Sequence, residues 1–237
     1  MEMISDGLRE AAQLLMGSDR SIWDAAFRSL WISVLAVGVA TTVGIPVGTL
    51  LARKRFPASR FLVLLFRVCM SLPTVFVGVL CFSFFSREGF LGPLELLYTP
   101  WAIVFGELIL AFPIVVSLTY GAISSLDVRV GETAWLLGAN WFQRVKLYVS
   151  EARGGVMLAV LTAFSRCVTE LGIAMMVGGN IKDRTRTLST ATALETGKGE
   201  FGRGLAMGLL LLVIAMSVTL LMSYVGRSEG DDEEGTR

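Results

Sequence analysis

Hydrophobic positions along the chain fall into long blocks separated by short polar stretches. Five blocks reach about 20 residues, the length of a helix that crosses a bilayer core. They cover roughly 29–51, 61–85, 98–120, 155–177 and 205–225. The pattern predicts an all-α membrane protein with five transmembrane helices. The first block opens at Ser29 and runs through "VLAVGVATTVGIPVGTLL". It is too long for the core of a signal peptide, and Asp19 and Asp24 ahead of it do not suit a basic leader, so no cleaved leader is expected. Residues 1–28 read as an extracytoplasmic lead-in whose "LREAAQLLMG" forms a short interfacial helix. The domain plan is therefore the lead-in, a transmembrane domain over 29–225, and an acidic tail over 226–237.

Two connecting stretches stand apart from the blocks. One, within about 121–154, contains "GETAWLLGANWFQRVKLYVSEAR" at 131–153, too polar for lipid yet helix-prone. A short helix ending at Gly138 can turn sharply there, because glycine accepts a left-handed cap. Trp141, Val145 and Tyr148 then recur at helical spacing. The other stretch, about 178–204, is long for a connector and rich in Thr and Ala.

Lys and Arg in short loops set the orientation. The first connection carries Arg53, Lys54, Arg55 and Arg60 and reads as cytoplasmic. Alternation then places 121–154 and the tail inside, and the N-terminus outside. The outer 178–204 loop is also basic, with Lys182, Arg184 and Arg186 close together, so its charge needs a separate reason.

Composition narrows the chemistry. The chain has 237 residues, 54% of them hydrophobic, and a mean hydropathy of +0.66, which makes the bilayer its solvent. A net charge of +1 suggests no nucleic-acid partner. Histidine is absent, which removes the commonest general base and metal ligand. Cys69, Cys81 and Cys167 sit singly in apolar runs, reading as inert thiols. The stretch "TGKGE" at 196–200 lacks the Ser or Thr that a phosphate-cradling loop places after its lysine. No catalytic residue, cofactor or metal site is expected, so uphill transport would draw energy from a partner or an ion gradient.

Charges inside the blocks are few: Arg67, Glu107, Arg166 and Glu170. At about 1.5 Å rise per residue, Glu107 and Arg166 enter their antiparallel spans to similar, near-midplane depth. Ionisable groups there pair or face a pathway. A Glu107–Arg166 clip is expected, with Glu170, one turn from Arg166, nearer the pathway; Arg67 snorkels to the interface. The pairs Gly44/Gly48 and Gly204/Gly208 predict close helix packing.

Glu132-Thr133-Ala134, three residues, then Gly138 resembles the cytoplasmic loop of ABC-transporter permeases, although Thr133 stands where that family has Ala and Ser150 near its usual Pro. "ELGIAMMVGGNI" at 170–181 and "TRTLSTATALETGKGEF" at 185–201 resemble the permease of tungstate ABC transporters, as do "GSDRSIWDAAFRSLWIS" and "SLPTVFVGV". The resemblance implies a type I importer permease of MetI-like fold in the cytoplasmic membrane, itself no enzyme. It implies a homodimer served by two cytoplasmic ATP-binding subunits and an extracytoplasmic tungstate-binding protein. Glu132, Thr133, Ala134 and Gly138 would couple to the ATPase, and Lys182, Arg184 and Arg186 would receive the anion or its binding protein. Molybdate or sulfate are alternative cargoes; a gradient-driven transporter or a membrane scaffold are alternative classes.

Overall fold

In the computed structural model, the run of apolar and small residues from Ile22 to Leu51 forms one helix, α1 (Arg20–Arg53), in which Pro46 is absorbed. The structure describes residues 11, 13–14, 17, 19–54 and 57–234, by backbone alone at 219 and from 222 onward. Arg55, most of the expected helix in 8–17 and the side chains of the acidic tail lie outside the described residues. The other helices are α2 (Ser59–Cys69), α3 (Thr74–Phe85), α4 (Pro100–Ser124), α5 (Val128–Leu136), α6 (Trp141–Glu151), α7 (Arg153–Val168), α8 (Leu188–Gly197) and α9 (Phe201–Glu234). No strand occurs among the described residues.

Helices α1, α4 and the 201–218 part of α9 are long and apolar enough to cross a membrane; α2 with α3, and α6 with α7, pass that test only as pairs bent by 100° and 84°. Two expected spans are thus not straight helices. The 61–85 run breaks over 70–73. Pro73 has no N–H to continue the helix and disfavours helical geometry at Leu72, so it caps α3 instead. The 155–177 run ends as helix at Val168 and resumes as a π-helical turn, Ala174–Gly178. α1 also begins at Arg20, nine residues before the expected Ser29. Its first turns are amphipathic: Ile22, Ala25 and Ala26 pack with Leu188, Ala191, Ala206 and Met207. Asp19 caps this end, accepting from the Ser21 amide at 3.0 Å and from Arg203 at 3.1 Å. The Ser21 hydrogen bond, aided by the Arg203 charge, holds its carboxyl below the ordinary carboxylate range.

The chain divides into two compact units. The first, Met1–Ala36, Leu72–Ile109 and Ser165–Ser217, holds the packing just described and the edge-to-face pair Phe85–Phe105, 5.3 Å between centroids. The second, Val37–Ser71, Leu110–Phe164 and Val218–Arg237, is built on Ile123, Tyr148, Ala152 and Val156 and on Leu51, Val63 and Val116.

The expected close packing at small residues is present at Gly44, Gly48 and Gly204, whereas a Cβ on Gly208 would make only ordinary contact, 3.5 Å from Thr192 Cγ2. A Cβ on Gly44 would lie 2.9 Å from Val115 Cγ1, and one on Gly48 would lie 2.9 Å from the Val116 carbonyl oxygen. Backbone cannot yield as a flexible side chain can. Gly48→Ala is therefore expected to cost about 1–3 kcal/mol by overpacking. Gly38→Ala in the same helix meets nothing within 4 Å and should be neutral or gain up to about 1 kcal/mol from helix propensity. Thermal unfolding of the two purified variants checks the contrast; equal midpoints would contradict it.

Candidate functional site

The first candidate region is the corner between α5 and α6. Asp127 caps α5, accepting from the Arg129 amide at 2.8 Å. At the other end Gly138 adopts φ +74°. Its amide donates to the Trp135 carbonyl and the Ala139 amide reaches back to the Ala134 carbonyl, both at 3.0 Å. That double closure, one bond nested in the other, ties off the helix through a left-handed residue. Asn140 then starts α6 with a reciprocal cap: its side chain accepts from the Gln143 amide at 3.0 Å, and Gln143 accepts from the Asn140 amide at 2.8 Å. Four residues, 137–140, join the two short helices at this corner.

The corner presents apolar surface. Trp135, Leu136, Leu137 and Phe142 are 67%, 77%, 82% and 82% exposed. Singly exposed apolar residues are ordinary, but a contiguous cluster marks a binding surface. Behind it Ala134 is buried and Tyr148 is packed under the Arg53 guanidinium, 4.6 Å from the ring centroid. Glu132 and Thr133 are exposed, and Glu132 lines a cavity of about 440 Å³ with Gly131, Trp135 and Tyr148.

The second region is the 170–203 block. Glu170 ends one helical run and starts the next: its Oε1 accepts from the Ile173 amide at 3.1 Å. Its Oε2 accepts from Arg166 Nη1 at 3.1 Å, with the two side chains 1% and 44% exposed. Its carbonyl accepts from Ser189 Oγ at 2.7 Å. The π turn closes on Gly179, φ +69°, followed by Asn180 at φ +49°. Buried Thr185 pins this turn, donating to the Gly178 carbonyl at 2.6 Å and accepting from the Ile181 amide at 2.9 Å. Thr187 and Thr190 form a reciprocal cap on α8, and Ser29 Oγ accepts from the Leu188 amide at 2.7 Å.

The three basic residues of this block separate. Arg186 is an internal strut: Nε donates to Asn180 Oδ1 at 3.2 Å, Nη1 lies 3.9 Å from Glu195, and its carbonyl accepts from Arg28 at 2.9 Å. Glu195 is buried and also receives Lys198 at 3.3 Å. Lys182 and Arg184 are exposed, with no ion pair to either among the described residues.

The charges Glu107, Arg166 and Glu170 do not pair as expected. Arg166 pairs with Glu170, and the Glu107–Arg166 clip is not formed: Glu107 is buried, and its Oε2, like Ser33 Oγ, has no hydrogen-bond partner. The physical reason is local. Arg166 and Glu170 are four residues apart across the end of α7, so they meet without ordering a second helix. The Ser and Thr residues that knit this block went unrecognised in the sequence; the cap spacing Thr187/Thr190 was the available signal.

The match to known proteins covers nearly the whole chain. Residues 44–229 match the family described as "Binding-protein-dependent transport system inner membrane component". The tungstate uptake system permease protein TupB of Peptoclostridium acidaminophilum is 33% identical over 94% of this chain and 97% of its own length. TupB of Campylobacter jejuni is 35% identical over 96% and 95%. Among solved structures, the methionine ABC transporter MetNI in inward-facing form has a similar fold, with TM-score 0.67 at 19% identity, covering 89% of this chain and 96% of that one.

Proposed function

Because the chain belongs to the family of inner membrane components of binding-protein-dependent transport systems, we propose that it is the membrane permease of an ATP-driven importer whose cargo is tungstate. It is a multi-pass protein of the inner membrane and a transport subunit; ATP hydrolysis belongs to a separate ATP-binding subunit, and a binding protein outside the membrane delivers the anion. The observation that carries the cargo is the likeness to two tungstate permeases at 33% and 35% identity over almost the full chain.

In this reading two copies form the pore, the N-terminus lies outside and the C-terminus inside. Glu132, Thr133, Ala134 and Gly138 belong to the coupling corner, whose exposed Trp135, Leu136, Leu137 and Phe142 supply an apolar footing for the ATP-binding subunit. Buried charge would be costly in lipid, and the Arg166–Glu170 pair meets that cost by clipping α7 to the π turn, with Glu107 buried in the same unit. Lys182 and Arg184 face the arriving dianion or its carrier, while Arg186 holds the loop in shape.

Uptake by the permease reconstituted in vesicles with its ATP-binding subunits and binding protein tests the cargo. ATP-dependent accumulation of tungstate, unaffected by excess sulfate, is expected. Accumulation of sulfate in preference to tungstate would overturn the assignment. In the same assay Lys182→Gln with Arg184→Gln should slow uptake several-fold at low salt, because exposed charges steer an anionic partner. The defect should shrink as ionic strength rises past about 0.15 M, where the screening length is about 8 Å. A defect that ignores salt would contradict the steering role.

A further inference from the structure

A basic cavity lies in the second compact unit, beside the coupling corner, with whose cavity it shares Arg53 and Val128. The end of α1, the start of α2 and the end of α4 enclose a cavity of about 730 Å³. Arg53, Lys54 and Arg60 line it, together with the hydroxyl-bearing Ser59, Tyr120 and Ser124. No acidic residue is among its described lining residues, and no carboxylate pairs with any of the three cations among the described residues.

The cations are held in place from behind. Arg53 stacks on Tyr148 and reaches the Leu126 carbonyl at 3.4 Å, and its Nε is buried without a hydrogen-bond partner. Lys54 Nζ stands 5.3 Å over the Trp141 ring. Like charges gathered in one concavity repel unless a counter-charge joins them, and preformed positions lower the ordering cost of binding it.

We propose that this cavity binds a tetrahedral oxyanion, with Arg53, Lys54 and Arg60 as its counter-charges. Two sources can supply that group: the phosphodiester of an anionic phospholipid, or a free oxyanion. The volume far exceeds that of a bare oxyanion, and Leu51, Ala52 and Leu126 give it apolar wall, which suits a headgroup with its glycerol. Clusters of Lys and Arg at the cytoplasmic end of membrane helices attract anionic lipid in this way. The site stands independently of which anion the permease transports.

The test uses the full complex, purified with its ATP-binding subunits. Native mass spectrometry reads retained lipid after exchange into equal phosphatidylglycerol and phosphatidylcholine. Calorimetry reads inorganic phosphate and tungstate against the delipidated complex. Selective retention of phosphatidylglycerol identifies the lipid source; binding of phosphate or tungstate without such retention identifies the free oxyanion. In either case Lys54→Gln with Arg60→Gln should weaken binding about thirtyfold, and Arg129→Gln with Lys146→Gln, which removes as much charge elsewhere in the same unit, should leave it within about twofold. Arg60→Gln alone, at an exposed side chain with no ion pair among the described residues, serves if the double variant fails to assemble. Absence of both ligands, or equal losses in the cavity and control variants, overturns the site.

Discussion

Gly138→Val is expected to abolish most ATP-driven uptake while the protein remains in the membrane. The residue adopts φ +74°, where a β-branched side chain is a strong outlier. A Cβ there meets nothing within 4 Å, so the penalty is purely conformational, about 2 kcal/mol. That is roughly a thirtyfold shift away from the native turn. The shift opens the two nested hydrogen bonds from Gly138 and Ala139 and changes the angle at which Trp135, Leu136 and Phe142 are offered. Asn tolerates the left-handed region, so Gly138→Asn should retain at least about half of wild-type uptake. Uptake in vesicles, with ATPase activity read in parallel, checks both variants. If Val and Asn behave alike, the left-handed turn is not what couples the subunits.

That turn was readable in advance because a glycine after a short apolar helix has few other uses, and the structure places it in the left-handed region. The three continuous spans were readable for an equally simple reason: each is a long apolar run, and a helix satisfies its own backbone in lipid. What escaped the sequence is decided by contacts distant along the chain or by competition between near-equal partners. The start of α1 at Arg20 depends on Ile22, Ala25 and Ala26 meeting Leu188 and Met207, 162 to 185 residues away. The break at 70–73 could be suspected from Pro73, but a proline such as Pro113 is absorbed within α4, and only the packed structure separates the two outcomes. The three basic residues at 182–186 look equivalent in the sequence; burial divides them into one strut and two exposed cations. Depth alone made Glu107 the expected partner of Arg166, whereas proximity along the chain, across the end of α7, favoured Glu170.

That choice of partner has a measurable consequence. Glu170 is buried to 1% side-chain exposure and depends on Arg166 for compensation. Arg166→Ala leaves a buried carboxylate with only the Ile173 amide as a hydrogen-bond donor among the described residues. Losing one member of a buried pair costs about 3–5 kcal/mol; because Arg166 is 44% exposed, solvent screening places the loss nearer the lower end, about 3 kcal/mol. For a chain of this size the unfolding midpoint of the purified complex should fall by about 6–12 °C. Glu170→Gln keeps an acceptor for the Ile173 amide and leaves only a half-exposed guanidinium unpaired, so its cost should be smaller, about 1–2 kcal/mol. Arg166→Gln combined with Glu170→Gln removes both charges and should recover most of the stability together with uptake. Glu107→Gln combined with Arg166→Gln should not recover it, since Glu170 would still be charged and uncompensated. A purely structural clip predicts that stability and transport return together in the first double variant. If that variant is stable, assembled with its ATP-binding subunits and inactive, Arg166 or Glu170 acts on the passing anion rather than on the fold.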